Sequence, residues 1–158
     1  MPNRPGRLKG FDYVGYASYF VTICTEGRLR AFDDLGFGHW AISQLLRQAT
    51  LREFEVSAYC LMPDHVHLLL RGQSESADFR SFIISWNTRT AFAWRQRYQS
   101  KLWQKGYYDR VVRDSDDFFG MARYVLLNPV EAGLVKRAED YALSGTTGYS
   151  MREILYEE

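Results

Sequence analysis

The stretch FEVSAYCLMPDHVHLLLR, which runs from Phe54 to Arg71, decides the fold of this chain. It contains two runs rich in β-branched, aromatic and aliphatic residues, Phe54–Met62 and His65–Arg71, on either side of Pro63 and Asp64. Because proline and aspartate are turn formers, the stretch predicts two antiparallel strands joined by a tight turn. An antiparallel hairpin is therefore the centre of the predicted sheet.

Strand-like and helix-like patterns alternate on both sides of this hairpin. Further strands are predicted at Tyr19–Cys24, at Leu29–Phe32 as a short return strand, and around Val111–Val112. Apolar residues at helical spacing predict three helices, at Trp40–Ala49, Phe79–Trp94 and Ser115–Asn128. This order favours an α+β fold, a ferredoxin-like antiparallel sheet with helices packed on its faces, over a doubly wound parallel sheet.

The third predicted helix has recognisable ends. Asp114 or Ser115 would cap its N-terminus by accepting a hydrogen bond from a free backbone N–H. Pro129 disfavours helical geometry at the residue before it, so the helix is expected to break or restart at Asn128.

Length and composition indicate one folded domain over residues 1–158, with a core of about 12–137 and a C-terminal tail of about 138–158. The chain is 46% hydrophobic and 16% aromatic, which excludes a disordered protein. No apolar run reaches the roughly 18–20 residues that span a bilayer, and the basic stretch Met1–Gly10 is not expected to act as a secretion signal. Cys24 and Cys60 lie in apolar runs and are expected to be buried, reduced thiols of a cytoplasmic protein.

Positive charge is concentrated in one segment, although the net charge is only +1. Eight basic residues and one acid, Asp109, lie between Arg80 and Arg113, so this basic segment carries a charge of +7. Aromatic residues are interleaved with these charges, which is typical of a surface that binds single-stranded nucleic acid. The alternative is a solvated helix face with aromatic side chains in the core. The candidate DNA contacts are Arg80, Arg89, Arg95, Arg97, Lys101, Lys105, Arg110 and Arg113.

Two of the three histidines, His65 and His67, lie two residues apart on the second strand of the hairpin. Strand side chains at that spacing share a face, so the two imidazoles would project together and could share one divalent cation. The alternative is a pair of half-buried histidines that are hydrogen-bonded to neighbours. A structural zinc site is disfavoured because nearby Cys or His ligands are lacking, whereas added oxygen ligands favour Mg²⁺ or Mn²⁺ and phosphate chemistry.

Tyr124 and Asn128 lie four residues apart and therefore share a face of the third predicted helix. Taken alone, Tyr124 would be a packing residue and Asn128 would cap a helical turn that starts at Pro129. If this helix packs beside His65 and His67, a hydroxyl and an amide oxygen meet two imidazoles around one cation.

Three ordered runs resemble a known family. They are AYCLMPDHVHLLL (Ala58–Leu70), LWQKGYYDRVVRD (Leu102–Asp114) and RYVLLNPVEAGLV (Arg123–Val135). Together they resemble the single-tyrosine, IS200-like transposases of the His-hydrophobic-His superfamily, and within it the branch associated with repetitive extragenic palindromes (REP). The resemblance extends from about Tyr19 to Tyr149.

The resemblance implies a sheet like that of RNA-recognition motifs, with the two histidines on a central strand. It implies that Tyr124 is the nucleophile and that His65, His67 and Asn128 hold Mg²⁺ or Mn²⁺. Asn128 stands where insertion-sequence relatives often carry Gln. Such proteins cut and rejoin single-stranded DNA beside hairpins through a 5′-phosphotyrosine intermediate. They act as monomers or homodimers, and no membrane partner is expected.

The residues by themselves leave two other functions open. One is a ferredoxin-like module that binds single-stranded nucleic acid and has structural histidines. The other is a metal-dependent nuclease that uses His65 and His67 with a water nucleophile. Covalent capture separates them from a transposase, because only the transposase forms a tyrosine adduct with DNA.

Overall fold

The structure is a computed structural model that describes residues 10–157, so the expectation about Met1–Gly10 lies almost wholly outside the described residues. The strands in the described part are β1 (Ser18–Cys24), β2 (Phe54–Met62), β3 (His65–Gly72), β4 (Tyr108–Val112) and β5 (Ser144–Gly145). The α-helices are α1 (Leu35–Arg52), α2 (Phe79–Tyr98), α3 (Phe118–Glu131) and α4 (Met151–Tyr156). Over residues 10–157, none of the helices combines the length and apolarity needed to cross a bilayer.

The strands form one antiparallel sheet in the order β4-β1-β3-β2-β5. β2 and β3 are the predicted hairpin, in which Met62 pairs with His65 across the turn. β3 is also paired with β1, where Thr22 lies opposite His67 and Cys24 lies opposite His65. The chain order of the first four strands and the helices between them is that of a ferredoxin-like fold. The α+β prediction is confirmed.

Side chains alternate along the strands and give the sheet two different faces. α1 and α2 cover one face, over Tyr19 and Ile23 of β1 and Leu68 of β3. α3 and α4 cover the other, over Cys60 of β2 and Leu69 of β3. We call these the α1–α2 face and the α3–α4 face. Both cysteines are buried thiols, as predicted.

The predicted return strand at Leu29–Phe32 is wrong. The chain after β1 forms two 3₁₀ turns, Glu26–Arg28 and Ala31–Asp33. Phe32 is buried, and its backbone N–H donates to the carbonyl of Pro63 in the hairpin turn. Ala31 and Phe32 therefore fill the core from a loop that is tied to the β2–β3 turn, while Leu29 is exposed.

α3 begins and ends later than the sequence predicts. Its N-cap is Asp117, whose carboxylate accepts a hydrogen bond of 2.9 Å from the N–H of Gly120, and neither Asp114 nor Ser115 has this role. The helix also continues through Pro129 to Glu131, so the predicted break at Asn128 is wrong. Because Pro129 lies in the last turn, its missing N–H removes only one hydrogen bond close to the helix end.

The segment that the sequence sets apart as a C-terminal tail packs against the rest of the protein as far as Ile154. Leu143 and Ile154 are buried, and β5 pairs with β2. The N–H of Thr147 donates to the carbonyl of Val56, which fixes the segment to β2. α4 thereby covers part of the α3–α4 face together with α3.

Candidate active site

His65 and His67 project from the same face of β3, as the strand alternation predicts. Their ring centroids are 4.8 Å apart, and the rings are nearly perpendicular. Val66 and Leu68 point to the opposite face and pack in the α1–α2 core. Both imidazoles therefore lie on the α3–α4 face, at the start of a central strand.

Each imidazole is oriented by a hydrogen bond at Nδ1. His65 Nδ1 lies 2.7 Å from Oδ1 of Asp64, and His67 Nδ1 lies 3.0 Å from Oγ1 of Thr22 on β1. Because both bonds use Nδ1, Nε2 is the ring atom of each histidine that can bind a cation. Burial, followed by the nearby His65 and Arg28, lowers the pKa of His67 to about 3, which keeps this ring in the neutral form that a metal requires.

Tyr124 lies beside the histidines on α3. Ala122, Val125 and Leu126 are buried against the sheet and fix the helix, while Tyr124 stands at the edge of this stripe and is 56% exposed. The centroid of its ring is 5.5 Å from that of His67. A tyrosine hydroxyl and two imidazoles thus come from elements that are far apart in sequence.

A cavity of about 360 Å³ connects these side chains. An adjoining groove of about 520 Å³ shares Phe20, Tyr108 and Tyr124 with it and extends to Arg110 of β4. The contribution of β1 and the loop after it could not be predicted from the sequence, because nothing in their local pattern marks a site. The residues that line the cavity are Phe20, Thr22, Cys24, Arg28, His65, His67, Tyr108 and Tyr124.

Asn128 lies one helical turn after Tyr124 and is partly buried, but it is not among the residues that line the cavity. Within residues 10–157, no cluster of three Cys, His, Asp or Glu side chains could hold a metal ion. Two oriented imidazoles that need an additional oxygen ligand fit a catalytic cation better than structural zinc. The role of Asn128 as that ligand stays a prediction.

The basic segment is divided between the two faces of the molecule. Its helical part, α2, packs on the α1–α2 face, opposite the histidines. Arg97 lies 3.6 Å from Asp34 and Lys101 lies 3.5 Å from Glu26. Arg110 pairs with Asp116, so three of the cations already have acidic partners. Arg110 alone of the eight lines the groove beside Tyr124. The eight cations therefore form no single surface, and their contacts with DNA stay predictions.

Three aromatic residues of this segment belong to the core. Trp86, Trp94 and Trp103 are at most 6% exposed. Their indole N–H groups donate to other parts of the protein, for example from Trp86 to the carbonyl of Ala41 and from Trp103 to Oγ1 of Thr90. They cannot stack on bases, so the alternative interpretation, aromatic packing in the core, is confirmed for them.

A family profile matches this chain, and REP-associated tyrosine transposases are among its relatives. The profile described as "Transposase IS200 like" matches residues 14–125, more than half of the chain, and includes Tyr124 but ends before Asn128. A candidate REP-associated tyrosine transposase of Haemophilus influenzae is 28% identical over 148 residues, which cover 84% of this chain and 81% of that protein. The REP-associated tyrosine transposase of Escherichia coli K12 is 26% identical over 106 residues, 64% of this chain and 62% of that protein.

A transposase and a candidate transposase are among the solved structures that share the fold. A REP-associated tyrosine transposase bound to a REP hairpin aligns with a TM-score of 0.71 at 20% identity, over 89% of this chain and 82% of that one. A candidate transposase from Deinococcus radiodurans aligns with a TM-score of 0.52 at 23% identity, over 68% and 87%. At these identities the likeness concerns the fold, which agrees with the antiparallel sheet described above.

Proposed function

Since this chain belongs to the IS200-like transposase family and is a transposase, we propose that it cleaves and rejoins single-stranded DNA beside hairpins with Tyr124 as the attacking group. The position of Tyr124 carries this proposal. Its ring packs 5.5 Å from the ring of His67 and 5.9 Å from that of Phe20, at the edge of the cavity that contains both histidines. Its exposure leaves the hydroxyl accessible to a DNA strand.

The proposed step is a transfer of the DNA phosphate to tyrosine. A bond forms between Oη of Tyr124 and the phosphorus atom, while the bond from phosphorus to O3′ breaks and its electron pair stays on O3′. The phenol proton passes to solvent, and the departing oxygen takes up a proton to become a 3′-hydroxyl. The 5′-phosphotyrosine keeps a reactive phosphate ester for rejoining, so the cycle needs no nucleotide cofactor.

We propose that His65 and His67, through Nε2, and Asn128 hold Mg²⁺ or Mn²⁺. Asp64 and Thr22 would orient the two imidazoles through their hydrogen bonds at Nδ1. A cation bound there would polarise the phosphate and offset negative charge in the transition state. The DNA partner that we propose is a palindromic hairpin with single-stranded flanks, by analogy with the relative whose structure contains a REP hairpin.

Covalent capture tests this function. The substrate is a labelled single-stranded oligonucleotide that spans a hairpin and its flanks from DNA next to the protein's own gene, incubated with Mn²⁺ and resolved on a denaturing gel. Wild type is expected to form a protein–DNA adduct, and Tyr124→Phe is expected to form none, because it loses one oxygen and keeps its ring contacts. Tyr16→Phe is the matched control, since Tyr16 is 66% exposed and lies outside the cavity.

Other outcomes would replace the proposal. Cleavage without an adduct would indicate a nuclease with a water nucleophile. Binding without cleavage would indicate a nucleic-acid-binding module. An adduct in Tyr124→Phe would mean that another residue attacks the phosphate.

A further inference from the structure

The cavity beside Tyr124 contains a charged side chain to which neither the sequence motifs nor the proposed step assigns a role. Apart from the two imidazoles, Arg28 is the only basic group among the described residues that line it. The remaining lining side chains are aromatic, hydroxyl or thiol groups. A phosphate that enters the cavity to meet Tyr124 therefore comes close to one permanent positive charge.

The guanidinium of Arg28 is held at this position from one side. Its Nε donates to Oδ2 of Asp64 at 3.1 Å, and its Nη1 donates to Sγ of Cys24 at 3.4 Å. The side chain is nevertheless 50% exposed, so an incoming ligand can reach it. Neither hydrogen bond uses Nη2, which is available as a donor to a ligand in the cavity.

The backbone that carries Arg28 is also held tightly. The N–H of the fully buried Thr25 donates to the carbonyl of Asp64 at 3.1 Å, and its hydroxyl lies 2.7 Å from the carbonyl of Leu29. Arg28 itself has a φ of 58°, in the left-handed region that few residues other than glycine adopt. Such conformations persist where the surrounding structure enforces them and are concentrated at functional sites.

We propose that Arg28 donates hydrogen bonds to a non-bridging oxygen of the scissile phosphate and stabilises the charge that develops during attack by Tyr124. This inference rests on the proposed function. A guanidinium fixed by Asp64 and Cys24 does not need to reorganise when the charge appears, which is the condition for effective electrostatic stabilisation. The competing explanation is that Arg28 only positions Asp64, and through it His65.

The test compares Arg28→Gln with Arg30→Gln on two substrates. Arg30 is two residues away, is exposed and pairs with Asp33 at 2.8 Å, so its substitution is the matched control. On the normal oligonucleotide, Arg28→Gln is expected to slow adduct formation by about 10²–10³-fold, the effect of losing one oxyanion donor, while Arg30→Gln matches wild type. On an oligonucleotide with an uncharged methylphosphonate at the mapped cleavage position, wild type and Arg28→Gln are expected to differ only a few-fold.

A Mn²⁺ titration separates the direct role from the positioning role. If Arg28 acts through Asp64 and His65, saturating Mn²⁺ will restore Arg28→Gln and Asp64→Asn alike, and the proposal is wrong. Two other results would also overturn the proposal. One is a rate of adduct formation for Arg28→Gln that equals the wild-type rate. The other is an equal loss of rate on the methylphosphonate and on the phosphodiester. If the methylphosphonate is inert to both proteins, the titration alone decides. A wild type without any adduct would instead refute the proposed function.

Discussion

The two faces of the sheet differ in how completely they are covered. On the α1–α2 face, large buried side chains such as Trp86 and Phe82 form one extensive core. On the α3–α4 face, the buried cluster is smaller and covers mainly the β2 side of the sheet. The β1 side of this face is left open, and His67, Tyr124 and Arg28 line the cavity there.

The difference shows how the protein remains stable although its candidate site contains a buried polar side chain. His67 is only 6% exposed, and a buried polar ring destabilises a protein unless its nitrogen atoms have partners. Thr22 supplies one partner, and the extensive core on the opposite face offsets the remaining cost. The α1–α2 face therefore provides most of the stability, while the α3–α4 face contains the candidate site. Each of the following predictions tests this division.

The largest effect is expected from removing both imidazoles. His65→Ala/His67→Ala should lower DNA cleavage by at least about 10³-fold, since a bound cation supplies several kcal/mol of transition-state stabilisation. DNA binding should be largely retained, because phosphate and base contacts elsewhere provide most of it. His39→Ala on α1, an exposed histidine, is the control for the same gel assay. Full wild-type activity in excess chelator would contradict the metal requirement.

On the opposite face, Trp86→Ala should lower the free energy of unfolding by about 3–5 kcal/mol. The substitution leaves a cavity in the core and removes the indole donor from the carbonyl of Ala41. Phe92→Ala on the same helix, where the side chain is 66% exposed, should change stability by no more than about 0.5 kcal/mol. Chemical denaturation measures both, and equal losses would mean that this core is not the main source of stability.

A salt titration asks whether the α1–α2 face also binds DNA. If the exposed cations of the basic segment contact phosphates, replacing Arg95, Arg97 and Lys101 with Ala should flatten the dependence of log affinity on log salt. The expected change in slope is about 2, because each phosphate contact on a single strand contributes about 0.7. An unchanged slope would leave this face with a structural role only.

The smallest effects are expected at the helix caps. Asp78 caps α2 by accepting from the N–H of Ser81, and Asp117 caps α3 in the same way through Gly120. Replacing either with Ala should cost about 1 kcal/mol in thermal unfolding experiments. Because only α3 carries Tyr124, Asp117→Ala should also slow adduct formation a few-fold. Equal rates for the two variants would show that the α3 cap does not affect the nucleophile.

Most of the fold could be predicted from the sequence, because its patterns are local. The hairpin, the order of strands and helices and the antiparallel sheet follow from alternation, helical spacing and turn residues. Two errors have different causes, tertiary packing for the predicted return strand and the position of a proline within its helix for α3. Phe32 reaches the core from a 3₁₀ turn rather than a strand, and α3 continues through Pro129 because a late proline costs little.

The candidate site likewise has features that could be predicted from the sequence and others that depend on tertiary contacts. His65 and His67 share a face because strand side chains alternate, and Tyr124 lies one turn from Asn128 because helices repeat every 3.6 residues. These relations depend only on the geometry of a single strand or helix, so they can be derived from the sequence alone. No local sequence pattern predicts which face of the sheet α3 covers. Nor does one predict that α2, with its cations, packs on the opposite face. Arg28 reaches Asp64, 36 residues away, only because β1 pairs with β3, and such contacts depend on how distant apolar surfaces are buried together.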